Sequence, residues 1–89
     1  MRIKAIKCEE CLDIVYSRAE DDLRECTCGA TSASGGQSHS KFYTIHGAKS
    51  KKVTIDLDLT PSMLYNDWKE MLDAYGLIRG TQSKKQAYF

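Results

Sequence analysis

The sequence predicts an α+β fold, in which a small four-cysteine ribbon packs with a strand–helix unit and the strands form an antiparallel sheet. Three observations carry that prediction. Two close cysteine pairs, Cys8/Cys11 and Cys26/Cys28, bracket a short excursion of chain. Val53, Ile55, Leu57 and Leu59 alternate without a break against Lys52, Thr54, Asp56 and Asp58, the period of a half-buried strand. Directly afterwards Met63, Leu64, Trp68, Met71, Leu72 and Tyr75 fall on one stripe at helical spacing.

The elements follow in order. Residues 2–7 alternate loosely, with Ile3 and Ala5 against Arg2, Lys4 and Lys7, and read as a short strand. Ile14, Val15 and Tyr16 are a β-branched and aromatic run, hence a second strand. Residues 18–22 are a charged turn and residues 23–25 return toward the second cysteine pair. Strand, turn and strand between two ligand pairs is a ribbon. Residues 31–40 are small, polar and glycine-containing, which predicts a loop, with a turn at Gly35-Gly36. Phe42, Tyr43, Thr44 and Ile45 suggest a strand over 41–46, and residues 47–50 a turn. The helix is expected over residues 61–75, with Thr60 as N-cap, Pro61 at its first position and Gly76 at its end. Asn66, Asp67, Lys69, Glu70 and Asp73 would face solvent. Residues 81–89 are a tail.

At 89 residues there is room for one domain, 1–89, with a ribbon part (3–30), a loop (31–40), a strand–strand–helix part (41–80) and the tail. A chain this short buries only about 60% of its unfolded surface, so its core needs a staple. The four cysteines are suited to the role. No secretory h-region follows Met1 and no apolar run approaches the roughly 20 residues of a membrane span, so the expected compartment is the cytoplasm. Disulfides rarely persist there.

Two tight pairs separated by fourteen residues instead have metal-site spacing. Cys8, Cys11, Cys26 and Cys28 supply four thiolates to a tetrahedral ion, for which structural Zn²⁺ is the first expectation and an iron centre the second. Gly29 follows Cys28 where a ligand turn needs positive φ; the matching residue after Cys11 is Leu12, which predicts a differently shaped first turn. A redox Cys8/Cys11 pair would want a βαβ context that is missing, and four unrelated thiols would not share this spacing. Four cysteines complete the tetrahedron, so His39 and His46 read as surface residues.

Cys8-x-x-Cys11-x-Asp13-Ile14-Val15-x-Ser17, then Cys26-x-Cys28-Gly29-Ala30, Gly35-Gly36 and Tyr43, resembles a family of small zinc-ribbon-like proteins found mainly in bacteriophages. The resemblance covers residues 3–43. Leu12 stands where that family has Gly, Ser34 where it has Asp, and its Arg pair after the aromatic is missing. The resemblance implies a phage origin and a role in the host cell cytoplasm. It supplies no activity.

Net charge is +1, split as −2 over residues 1–40 and +3 over residues 41–89. That balance argues against strong non-specific nucleic-acid binding. No nucleophile–base–orienter set can be assembled; Asp56 and Asp58 share a strand face but read as solvated exterior, and His39, His46 and Tyr65 lack visible partners, so an enzyme ranks last. The expected function is a non-enzymatic accessory protein that binds a host or phage protein, with inhibition of a host defence system as one form of it. The alternative is a nucleic-acid-binding transcriptional regulator using the ribbon or a basic strand–helix face. No membrane partner is expected, and a small core with a short edge strand leaves a homodimer open.

Overall fold

The computed structural model describes residues 1–80. Its elements are β1 (Arg2–Cys8), β2 (Ile14–Val15), β3 (Arg24–Glu25), β4 (Thr31–Ser34), β5 (Lys41–Thr44), β6 (Ser50–Asp56), α1 (Pro61–Lys69) and β7 (Leu77–Ile78). They form a four-stranded sheet in the order β6-β1-β2-β7 and a three-stranded sheet in the order β3-β4-β5. Every pairing is antiparallel. The fold is α+β, as the sequence predicts.

Strand β1 is the centre of the molecule, and its loose alternation now has a cause. Ile3 and Ala5 point into one core with Ile14, Tyr16 and Leu64 of α1. Ile6 and Cys8 point the other way, into a second core with Val15, Cys26, Ala30 and Ala33. A strand buried on both faces loses the polar half of its period. The first sheet is therefore sandwiched between the helix and the second sheet. On β6 the predicted alternation holds: Val53, Ile55 and the following Leu57 and Leu59 pack against the helix-side core.

Several expectations are corrected. The ribbon is not one hairpin between the cysteine pairs, because β2 pairs with β1 while β3 pairs with β4 in the other sheet. Each pair instead sits at the tip of its own hairpin. The expected loop 31–40 begins with a strand, β4, whose Thr31 and Ala33 are buried. Small side chains read as loop in isolation, yet they are what a strand needs where it packs closely against a cysteine cluster. The turn expected over 47–50 gives up Ser50 to β6.

The helix stops at Lys69 and does not reach Tyr75. Its start is as predicted, with the Thr60 hydroxyl accepting from the Met63 N–H at 3.2 Å and Pro61 in the first turn. Its end is a Schellman motif: the Leu72 N–H donates to the Asp67 carbonyl and the Met71 N–H to the Trp68 carbonyl. Met71 takes the left-handed position at φ 56° that the sequence assigns to Gly76. The apolar stripe is cut as a result. Leu64 is buried, but Met71 and Leu72 are 84% and 66% exposed, and Met63 and Tyr65 are also exposed. Asp67, expected in solvent, is buried. The tail, with Lys84 and Lys85, lies outside the described residues.

Candidate metal centre

The two hairpin tips are built alike. In the first, the Cys8 N–H donates to the Asp13 carbonyl (2.8 Å) and the Leu12 N–H to the Cys8 carbonyl (2.8 Å). In the second, the Cys26 N–H donates to the Thr31 carbonyl (3.0 Å) and the Gly29 N–H to the Cys26 carbonyl (2.9 Å). Leu12 (φ 68°) and Gly29 (φ 76°) both adopt the left-handed conformation after the second cysteine of their pair. Leu12 thus takes the same left-handed conformation as Gly29, held against its own preference by the closing hydrogen bonds, but the first turn is shaped differently, closing across four residues (Leu12 to Cys8) where the second closes across three (Gly29 to Cys26).

The tips bring the four sulfurs together, all within 4.8 Å of one another. Cys28 Sγ lies 3.6 Å from Cys8 Sγ and 3.5 Å from Cys26 Sγ. These separations are far from the roughly 2.0 Å of a disulfide and close to the roughly 3.8 Å between sulfurs on a tetrahedral ion with 2.3 Å bonds. All four cysteines are free, with Cys8 and Cys26 buried, Cys11 intermediate and Cys28 exposed. Each of the four predicted ligands is in the cluster. His39 and His46 are exposed and outside it.

Electrostatics at the cluster are uneven. Burial opposes ionisation of Cys8, but the backbone N–H groups of Cys11 and Glu10, together with the Thr31 hydroxyl and the Cys28 thiol, outweigh it and bring its pKa down to about 7. The buried Thr31 hydroxyl makes no well-formed hydrogen bond of its own, which leaves it for that sulfur. Burial pushes Cys11 up to about 12; the N–H groups of Cys28 and Asp13 oppose the rise, and the neighbouring Cys28 and Cys26 thiols add to it. One thiolate is cheap here and a second beside it is not. A bound divalent cation removes that conflict, because it deprotonates coordinating thiols outright. The Thr31 N–H donates to Cys26 Sγ at 3.3 Å, the kind of contact that steadies a ligating thiolate.

Asp13 stands in the Cys8–Ser17 motif, but the sequence assigns it no role. It is buried, and its carboxylate accepts the Thr27 N–H at 2.7 Å, the Thr27 hydroxyl and the Gly80 N–H. Thr27 stands between Cys26 and Cys28, so one carboxylate ties the first hairpin tip to the middle of the second. Burial disfavours the charge, yet the Thr27 donors, the Gly80 N–H and the Cys11 thiol hold the Asp13 carboxyl below its usual range. The only local signal was an acid between Leu12 and the apolar Ile14-Val15.

A second buried polar network lies away from the sulfurs. The Arg18 guanidinium grips Asp22 with two hydrogen bonds (2.8 and 2.9 Å) and reaches Asp67 at 2.8 Å and Asp73 at 3.2 Å. Asp67 also accepts the N–H groups of Ala74 and Tyr75, so it fastens the segment after α1. The expected charged turn at 18–22 is therefore a buried anchor. Of the lone catalytic candidates, His39 and Tyr65 come to line one cavity of about 320 Å³, together with Glu20. No hydrogen bond joins them among the described residues.

Among the described residues no helix is long and apolar enough to cross a membrane. No curated protein and no solved structure matches the chain. Residues 2–44, which hold β1 to β5 and both cysteine pairs, match the model of a domain of unknown function, DUF7695.

Proposed function

We propose that this protein is a non-enzymatic binding module whose fold is held by a structural Zn²⁺ on Cys8, Cys11, Cys26 and Cys28. The carrying observation is the sulfur cluster: four thiols from two matched hairpin tips, within 4.8 Å of one another. Four protein ligands leave no open coordination position, which suits a structural ion and not a reacting one. The partner in this reading is a protein of phage or host, and a host defence component is one form of it. Support comes from Met71 and Leu72, apolar side chains left in solvent by the Schellman turn and held there by Asp67 hydrogen bonds. Apolar side chains exposed side by side form the kind of patch that marks a protein-contact site.

A nucleic-acid reading draws on a different observation. Lys4, Lys7, Lys51 and Lys52 lie on the adjoining strands β1 and β6, and none is in an ion pair among the described residues. Two measurements separate the readings. Native mass spectrometry should find one zinc per chain, and a tagged, metal-loaded protein should recover a stoichiometric protein from lysate. Binding to random duplex with a steep salt slope, and no protein partner, would favour the nucleic-acid reading. Iron, or no metal, would overturn the zinc assignment.

A further inference from the structure

Strand β6 forms one edge of the four-stranded sheet. All seven of its residues pair with β1 on one side. On the other side, none of its backbone groups has a backbone partner among the described residues. Seven residues give an open edge of about 23 Å. Such an edge invites another strand, and its side chains determine which one is accepted.

Antiparallel pairing of β6 with β6 of a second copy, centred on Thr54, matches the facing pairs over residues 52–56. Lys52 meets the partner's Asp56, Val53 meets the partner's Ile55, and Thr54 meets the partner's Thr54. Opposite charges, two β-branched apolar groups and a threonine pair are each favourable cross-strand neighbours. The two-fold axis repeats the charge pair and the apolar pair, so one strand provides both halves of the interface. Among the other two-fold registers, centring on Lys52 sets lysine against lysine and centring on Asp56 sets aspartate against aspartate, while centring on Val53 or Ile55 brings no like charges together but forfeits both Lys52–Asp56 pairs. The surface is available. Lys52, Thr54 and Asp56 are exposed, Val53 and Ile55 are only half-buried, and the Arg2–Asp56 contact at 3.7 Å, with side chains 76% and 79% exposed, is weak enough to exchange.

We infer that the protein forms a two-fold symmetric dimer through β6, joining two four-stranded sheets into one continuous sheet. The pairing argument uses only the residues of β6 and does not depend on which ion the cysteines hold.

The test is charge reversal with rescue in the full, metal-loaded chain, read by sedimentation equilibrium. Lys52→Glu and Asp56→Lys should each raise the dimer dissociation constant about tenfold or more, because each introduces two like-charge contacts. The double variant Lys52→Glu/Asp56→Lys restores both pairs and should return to within about threefold of wild type. Hydrogen exchange on the wild type needs no variant: β6 amides should become more protected as concentration rises. The inference is overturned if the wild type stays monomeric to about millimolar concentration, or if all four proteins dimerise equally. Concentration-independent β6 exchange would overturn it as well, as would finding that the edge is filled by a co-purifying acidic protein or nucleic acid.

Discussion

Asp13 shows how much of the metal centre rests on a residue that is not a ligand. Its carboxylate satisfies two groups of Thr27 and one of Gly80, so it fixes the second hairpin tip with respect to the first. Groups that orient metal ligands are typically worth 10–100-fold in affinity. Asp13→Asn should therefore weaken zinc binding about 10–100-fold in a chelator competition while leaving four-sulfur ligation intact, visible in the absorption spectrum of the cobalt-substituted protein. Asp67 provides a second test at this scale. Arg18 and the Tyr75 and Ala74 N–H groups outweigh burial and hold the Asp67 carboxyl below its usual range. A depressed acid contributes stability above its unfolded pKa of about 3.9 and loses it as pH falls through the folded value. Asp67→Asn should cost about 2–3 kcal/mol at pH 7, since it removes one charge-assisted bond of Arg18 while Asp22 remains as its buried counter-charge. The gap from wild type in urea unfolding should close as pH drops below about 4. A gap that stays constant with pH would separate Asp67 from the acid response.

At the scale of elements, the helix shows what a sequence pattern can and cannot specify. Thr60 and Pro61 mark its start because a cap is a local interaction within one turn. Its end depends on Asp67, which turns inward to Arg18, 49 residues away, and captures the chain after the helix. No helical periodicity encodes that contact, so the stripe continued on paper through Met71 and Leu72. Met71 now occupies a left-handed position with its side chain in water. Met71→Gly should raise stability by about 1 kcal/mol, measured as the urea midpoint, since glycine adopts that conformation without penalty. The seal between α1 and the sheet is Leu64, which is 1% exposed, whereas Trp68 is only half-buried and meets the Tyr65 ring at a tilt of 56°, centroids 5.7 Å apart. Leu64→Ala should cost about 3 kcal/mol and Trp68→Ala about 1 kcal/mol. The reverse order would mean that Trp68, and not Leu64, closes the core.

For the whole molecule, the cysteine frame was legible because spacing alone brings each pair into one turn, and β6 was legible because its period is unbroken. The topology was not. Strands β1 and β6 are far apart in the chain yet pair over seven residues, and β4, a run of Thr, Ser and Ala, has no β signature except its place against the sulfurs. Asp13 reaches Gly80 across 67 residues, a contact no local pattern announces. The sulfurs lie where the two sheets meet: Cys8 ends β1, and Cys26 lies between β3 and β4. Both cysteines are in the core shared by the sheets. A metal ion bound there would join two halves that otherwise share a modest apolar cluster and a few hydrogen bonds such as Thr27 to Asp13. Structural zinc in small domains supplies on the order of 10 kcal/mol, more than a core this size yields unaided.

On the proposed reading, the four thiolates and a bound ion hold the two sheets together. The direct measurement is thermal unfolding, followed by circular dichroism, of the metal-loaded protein before and after removal of metal by a chelator under reducing conditions. Removal should abolish the β signal and the cooperative transition, and both should recover when one equivalent of Zn²⁺ is returned. An unchanged spectrum and an unchanged midpoint in the metal-free protein would contradict that reading.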